Sequence, residues 1–390
     1  MKRILLRGIA LLFLVVAGLV VISSERRARA ESARVTFWHL PDGAIQPQAV
    51  TDSAGTVHII YFQGNAKAGN LFYLRVAPGQ NSPSAPLRVN SELNSASAIG
   101  TVRTAQIAVG KACRVHIVWN GLGPKDENGY PTAYQAYTRL SDAGTAFETQ
   151  RNLTTWAKGL DGGGSIAADA EGNVYATWHA LAGAKEEAGR AVFIAISRDN
   201  GKTFAREKQA NSETTGACGC CGMKAFADSK GVLTILYRAA GDNIHRDTVL
   251  LVSQNKGRSF QMKRLDKWTL NACPMATYTL TESKAGILAA WETSGRVYSA
   301  AINPAEMALT APVSAPGAAQ KHPFVVANAD GQSLLVWAEG AGWQKGGTLV
   351  WQTRDGKNQP LESGSKPGAI PIWGLAAAYA RSDGSFVILY

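Results

Sequence analysis

Charge is scarce in this chain: Asp, Glu, Lys and Arg make up 18% of its 390 residues, below the quarter usual in globular proteins. The scarcity does not signal disorder, collagen or a coiled coil, because 46% of the residues are hydrophobic and such a chain buries a large core. Long apolar runs are also missing beyond residue 22, so no later segment approaches the length of a membrane-spanning helix. Clusters of Lys and Arg are absent from the body of the chain, which excludes a nucleic-acid footprint. What is plentiful is Gly (40) and Trp (10), a composition that favours strands and tight turns over surface helices. At this length one ordinary compact domain is exceeded, unless the chain closes on itself as a repeat or barrel.

The N-terminus has its own chemistry. Lys2, Arg3 and Arg7 precede an apolar stretch at 9–22, and a polar segment follows that ends in Ala28-Arg29-Ala30. This pattern reads as a secretory signal peptide over residues 1–30, with an uncleaved N-terminal anchor as the alternative, given Arg26, Arg27 and Arg29. Either way residues 31–390 are expected as one exported domain, periplasmic or secreted. Loss of residues 1–30 removes six basic groups and Glu25, lowering the net charge from +11 to +6. A field of that size mostly serves solubility and also suits an anionic ligand.

An internal repeat decides the architecture. An alternating apolar run, a polar turn with Gly and a second apolar run ending in an aromatic recur as PQAVTDSAGTVHIIYF (47–62), AQIAVGKACRVHIVW (105–119), GSIAADAEGNVYATW (164–178) and MKAFADSKGVLTILY (223–237). The pattern returns as MATYTLTESKAGILAAW (275–291), PFVVANADGQSLLVW (323–337) and AAAYARSDGSFVILY (376–390). Each is a β-hairpin by its period-2 alternation and Asp/Gly turn, and a third strand follows most copies, as at 70–76, 133–140, 191–197, 248–253, 297–302 and 348–353. One such unit cannot bury both of its faces, whereas a closed ring buries all of them. The expected fold is therefore an all-β propeller of four-stranded antiparallel blades, seven by this count, with six as the runner-up. The last copy supplies only two strands, so residues 34–40 are expected to join it and close the ring.

A second motif lies between the third and fourth strands of the repeat. SRDNGKTF (197–204) fits S-x-D-x-G-x-T-F/W, SQNKGRSF (253–260) has Asn in place of Asp, and SDAGTAF (141–147) is shorter. The carboxylate accepts turn N–H groups, Gly takes positive φ and the aromatic packs between sheets. With this motif the chain resembles the sialidase (BNR/Asp-box) β-propeller superfamily over nearly its whole length. It is also similar to an exported bacterial branch with a CxCC motif. The resemblance implies the propeller fold and, if the protein is an enzyme, a glycoside hydrolase of exo-α-sialidase type. Those boxes are structural in the superfamily. Its Arg-Ile-Pro segment does not occur here, and Arg34 stands in Ala33-Arg34-Val35, so no catalytic set carries over.

Propeller geometry nevertheless selects a face. The start of each first strand and the end of each second strand share one opening near the axis, where propellers usually bind ligands. Those positions offer Arg103, Asp161, His179, Arg238 and Glu292, joined by Arg246, Asp247 and Trp343 from neighbouring loops. Arg103, Arg238 and Arg246 form a candidate clamp for a carboxylate, since guanidinium forks match it in pairs. His179 and Trp343 complete the candidate substrate-binding set. Glu292 with Tyr298 is the candidate base–nucleophile pair, and Asp247 or Asp161 the candidate general acid. Ion-pair glue between blades is the competing reading of all these charges.

Cysteine chemistry is sparse but concentrated. Cys113 reads as a lone small apolar residue in a strand. Cys218, Cys220, Cys221 and Cys273 open the first strands of two adjacent blades. A disulfide from Cys273 to the triplet is one reading. A soft-metal or thiol-redox site is another, with Met223 and Met275 adding thioethers suited to copper, and inert packing is the third. The spacing is that of neither a zinc ribbon nor a haem attachment site. The leading expectation is hydrolysis or recognition of an acidic glycan or small anionic ligand, with no cofactor required. A copper or thiol-redox protein and a non-catalytic binding platform are the alternatives.

Overall fold

The computed structural model describes residues 32–390 apart from Asn128, Ser212 and Glu213, so the proposed leader at 1–30 lies outside the described residues. The described chain is almost entirely strand, folded into seven sheets in sequence order. The seven innermost strands are Ala44–Thr51, Gln106–Val109, Ser165–Ala168, Lys224–Ala227, Tyr278–Ser283, Gln320–Ala327 and Ala377–Ala380. Each packs against the next, and the last packs against the first, which closes a seven-bladed β-propeller. No helix among the described residues is long and apolar enough to cross a membrane.

The turn between the first two strands is built the same way in four of the seven blades. Asp52, Asp169 and Asp228 each accept two backbone N–H groups from two and four residues further on, at 2.8–3.0 Å, and Asn328 does the same at 2.9 and 3.1 Å. The Gly three residues on takes positive φ in each case, as Gly55, Gly172, Gly231 and Gly331. An Asx turn fixes the register, and the register sends the aromatic at the end of the second strand into the seam between blades. Trp119, Trp178, Trp291 and Trp337 are all buried there, as are Tyr61 and Tyr237. Burying an aromatic of this kind contributes about 1.5–3 kcal/mol. The apolar clusters mix residues of adjacent blades, as where Val118 and Tyr137 meet Trp178 and Phe193.

The turn at 197–204 is locked as its sequence requires. Asp199 accepts the Thr203 amide at 2.8 Å and the Thr203 hydroxyl at 2.6 Å, and Ser197 Oγ donates to it at 2.8 Å. A Cβ on Gly201 would collide with the Tyr137 hydroxyl, so only glycine fits. Asn255 reproduces the lock at 253–260, taking the Ser259 amide at 2.9 Å. The short loop at 141–147 does not: Asp142 turns outward to pair with Arg114.

The seventh blade has only three strands, in the order Val35–Trp38, Phe386–Leu389, Ala377–Ala380. Val35–Trp38 closes the ring as expected, but it runs parallel to Phe386–Leu389, with Val35 opposite Phe386. Elsewhere the blades are antiparallel throughout. Cys113 is a correction. It lies not in a strand but in the short turn Lys111–Cys113, half-exposed and at φ 55°, because Lys111-Ala112-Cys113 replaces the usual Asp-x-x-Gly of that hairpin.

Candidate functional site

The starts of the first strands and the ends of the second strands bring their side chains to one opening. Below it the central cavity is lined by residues of all seven blades, among them Gln48, Gln106, Gly164, Met223, Thr279, Phe324 and Ala376. Lys224 reaches from the fourth blade to Gln106 Oε1 of the second at 2.7 Å, and burial brings its ammonium down to about 8. Three successive glycines, 162–164, allow the loops to close around this opening. A side chain on Gly162 or Gly163 would strike the carbonyl of Cys221 or Val102, and one on Gly164 the side chain of Gln135.

A strip of charged and aromatic groups runs across the face. Trp343, 56% exposed, crosses Trp373 edge-on with centroids 4.7 Å apart and planes at 74°. Gly100 places Trp343 beside Arg103: the point where its Cβ would lie is 3.2 Å from the indole and 3.4 Å from Arg103 Nη1. Arg103 grips Asp161, donating to its carboxylate and, at 2.8 Å, to its carbonyl oxygen. The Asp161 side chain remains 46% exposed and that of Arg103 22%. Next in the strip is Gly219, whose absent side chain would sit 3.3 Å from Asp161 Oδ2, 2.9 Å from Glu187 Oε1 and 3.2 Å from Arg190 Nη2. Glu187 takes the Gly219 amide at 2.6 Å and Arg246 Nη1 at 2.7 Å.

The three arginines expected to form a clamp each grip the protein itself. Arg103 holds Asp161 and Arg246 holds Glu187. Arg238 is 1% exposed and donates to the carbonyls of Arg246, at 2.7 Å, and Glu292. It lies between the rings of Trp268 and Tyr278, at 5.1 and 5.6 Å from their centroids. It therefore presents no fork to solvent. Glu292 is buried and accepts Lys321 Nζ at 3.1 Å and the His322 amide at 2.9 Å. Tyr298 does not meet it. Tyr298 stands opposite Trp291 and stacks on it, while Glu292 stands opposite Val297, so strand alternation puts the two on opposite faces of the sheet. Asp247 bonds Arg264 at 2.8 Å and the Trp268 amide at 3.0 Å.

His179 faces Cys221, its Nε2 lying 3.0 Å from the Cys221 carbonyl, and Arg190 Nη1 approaches its Nδ1 at 3.4 Å. Since arginine can only donate, Nδ1 accepts and Nε2 carries the proton. Burial, with Arg190 adding to it, draws this imidazole down to about 3. Glu187 and Arg190 are the residues that sequence reading missed. Their one signal was the charge of Lys185-Glu186-Glu187 and Arg190 in a loop following a second strand.

The Cys-x-Cys-Cys turn sits at the centre of the strip. Cys218 Sγ lies 2.9 Å from Cys221 Sγ and 3.4 Å from Cys220 Sγ, and the exposed Cys273 stands outside this group on the neighbouring loop. All five cysteines are free thiols. Met223 faces the central cavity and packs in the core between the third and fourth blades.

This architecture is that of a seven-bladed β-propeller. No family model matches the sequence, and no curated protein does. Among solved structures, a protein of unknown function from Dyadobacter fermentans DSM 18053 superposes with TM-score 0.56 at 10% identity, covering 86% of this chain and 98% of that one. The α-L-arabinofuranosidase of Fusarium graminearum, solved with an iminosugar inhibitor, gives 0.52 at 8% identity, covering 76% and 88%. The Hadza microbial sialidase Hz136 gives 0.50 at 12% identity, covering 75% of this chain and 63% of that one. At such identities the likeness is one of fold.

Proposed function

We propose that this chain is an exported, glycan-recognising β-propeller that takes a sugar bearing an anionic group at the opening described above. One observation carries the reading: an exposed Trp343, braced against Trp373, stands beside the partly exposed Arg103–Asp161 pair. A rigid indole offers a face on which a sugar ring stacks, and the guanidinium at its edge supplies the charged contact. Structures named as a sialidase and an arabinofuranosidase share the fold, which supports a carbohydrate as the ligand. Recognition is favoured over exo-α-sialidase-type hydrolysis. Glu292 and Asp247 are each bonded by a cation of the protein, and Tyr298 is stacked away from Glu292.

A panel of neutral and acidic glycans tests the reading on the purified protein, with fluorogenic sialosides and arabinosides run alongside for turnover. Trp343→Ala is expected to weaken binding about tenfold, equivalent to about 1.4 kcal/mol, with unchanged thermal stability. Arg103→Gln is expected to erase the preference for acidic over neutral sugars. Binding indifferent to Trp343→Ala, or no binding to any glycan, would reject the proposal.

A further inference from the structure

Beyond glycan recognition, and independent of it, the sulfur group at the opening has the makings of a metal site. Cys218, Cys220 and Cys221 come from one tight turn, and their three Sγ atoms lie within 4.8 Å of one another. The turn is held from several sides. The Cys218 amide donates to the Arg238 carbonyl at 2.9 Å, the Gly219 amide to Glu187 at 2.6 Å and the Gly222 amide to the Ala276 carbonyl at 3.0 Å. The Ala276 amide donates to Cys221 Sγ at 3.4 Å. Cys218 approaches two sulfurs at once, a triangle of donors, whereas a disulfide needs one facing pair.

A second observation points to negative charge on that sulfur. Arg190 is buried, yet among the described residues no carboxylate lies within ion-pair distance of it, and its Nε–H has no acceptor. Its contacts are the Gly159 carbonyl and the neutral ring of His179. The carboxylates of Asp161 and Glu187 act on it electrostatically from beyond ion-pair distance, and Cys218 and Cys220 do so when ionised. Arg238, ion-paired with Asp266 at 3.8 Å, also lies in the field of Cys221. Buried cations beside sulfur stabilise thiolates and do nothing for a neutral disulfide.

We propose that Cys218, Cys220 and Cys221 form a trigonal thiolate site for a soft monovalent cation, Cu(I), with the exposed Cys273 outside the triangle on the side through which the ion enters. Three thiolates without an imidazole or carboxylate select a soft ion, whereas structural zinc asks for four ligands in a tetrahedron and iron–sulfur clusters for four cysteines. The step is ligand exchange and not redox. Cu(I) enters as Cu(I), three Cu–S bonds form, and each ligating sulfur still protonated releases its proton to solvent. The anionic complex that results adds counter-charge beside Arg190, which has no ion-pair partner among the described residues.

The full chain, reduced and freed of reductant under anaerobic conditions, is titrated with a Cu(I)–acetonitrile complex against a chromophoric Cu(I) chelator. One Cu(I) per chain is expected, with X-ray absorption showing about three sulfur neighbours and no nitrogen. Cys220→Ser is expected to lower the affinity at least about tenfold, and Arg190→Gln, which touches no ligand, by about 10–100-fold. Cys113→Ser is expected to leave it unchanged. Because Cys218→Ser risks the fold, the Arg190 variant and the absorption spectrum carry the test without it. Any one of three results would overturn the proposal: no Cu(I) taken up by the reduced protein, uptake indifferent to Cys220→Ser, or Zn(II) displacing Cu(I) at equal concentration.

Discussion

Three buried histidines, His116, His179 and His322, are neutral rings, each drawn down to about 3 by loss of solvent. In the unfolded chain the same groups titrate near 6.5. Between those two values the unfolded state binds more protons, so stability falls as the pH drops through 6.5 towards 3. Each ring contributes on the order of a few kcal/mol to that loss by the bottom of the window. Denaturant unfolding at stepped pH should show the decline, steepest below about pH 6; a flat profile from 7 to 4 would contradict the burial of these rings. At this scale the sequence was least legible. It brought Arg103, Asp161, His179, Arg238 and Arg246 to one face, but it could not say which charges would be consumed internally. Arg238 was read as a ligand clamp, yet it fills a slot between Trp268 and Tyr278, rings supplied by residues far along the chain. Glu187 and Arg190 escaped notice because their partners, Gly219 and His179, are neighbours only once the loops have packed.

Between strands, the side chains that lock turns act as independent clasps. Asp199 alone closes three hydrogen bonds within 197–204, and two of its donors belong to Thr203. Asp199→Ala should destabilise the protein by about 1–2 kcal/mol, because the turn amide loses its acceptor. Asp199→Asn should recover most of that, since Asn255 already does the same work one blade on. Equilibrium unfolding of the two variants measures the difference; equal losses would mean that charge and not geometry closes the turn. Elements of this kind were readable in advance because their chemistry is local: Asp-x-x-Gly turns fix hairpins wherever they occur. The fourth strands were not readable. Leu87–Arg88, Arg151–Asn152 and Lys208–Gln209 are two residues long and mostly exposed, so neither periodicity nor apolar content marks them.

Across the whole molecule, closure depends on one short parallel pairing. Leu40 donates to the Tyr390 carbonyl at 2.9 Å, and Phe386 donates to that of Arg34 at 2.9 Å. Deleting residues 33–40 would leave Phe386–Leu389 as an unpaired edge and open the core that Val35 and Trp38 help to cover. The truncated protein should melt lower by about 2–4 °C for each kcal/mol lost and should associate through the bare edge. Calorimetry and light scattering on the purified chain would register both; an unchanged midpoint would show that the hub holds without its clasp. The same pairing sets an order of events during synthesis. Thr36 bonds the carbonyl of Phe386, 350 positions downstream, so the earlier segment waits for the later one. Until residues 386–390 leave the ribosome the circle stays unsealed, so its completion cannot precede their synthesis.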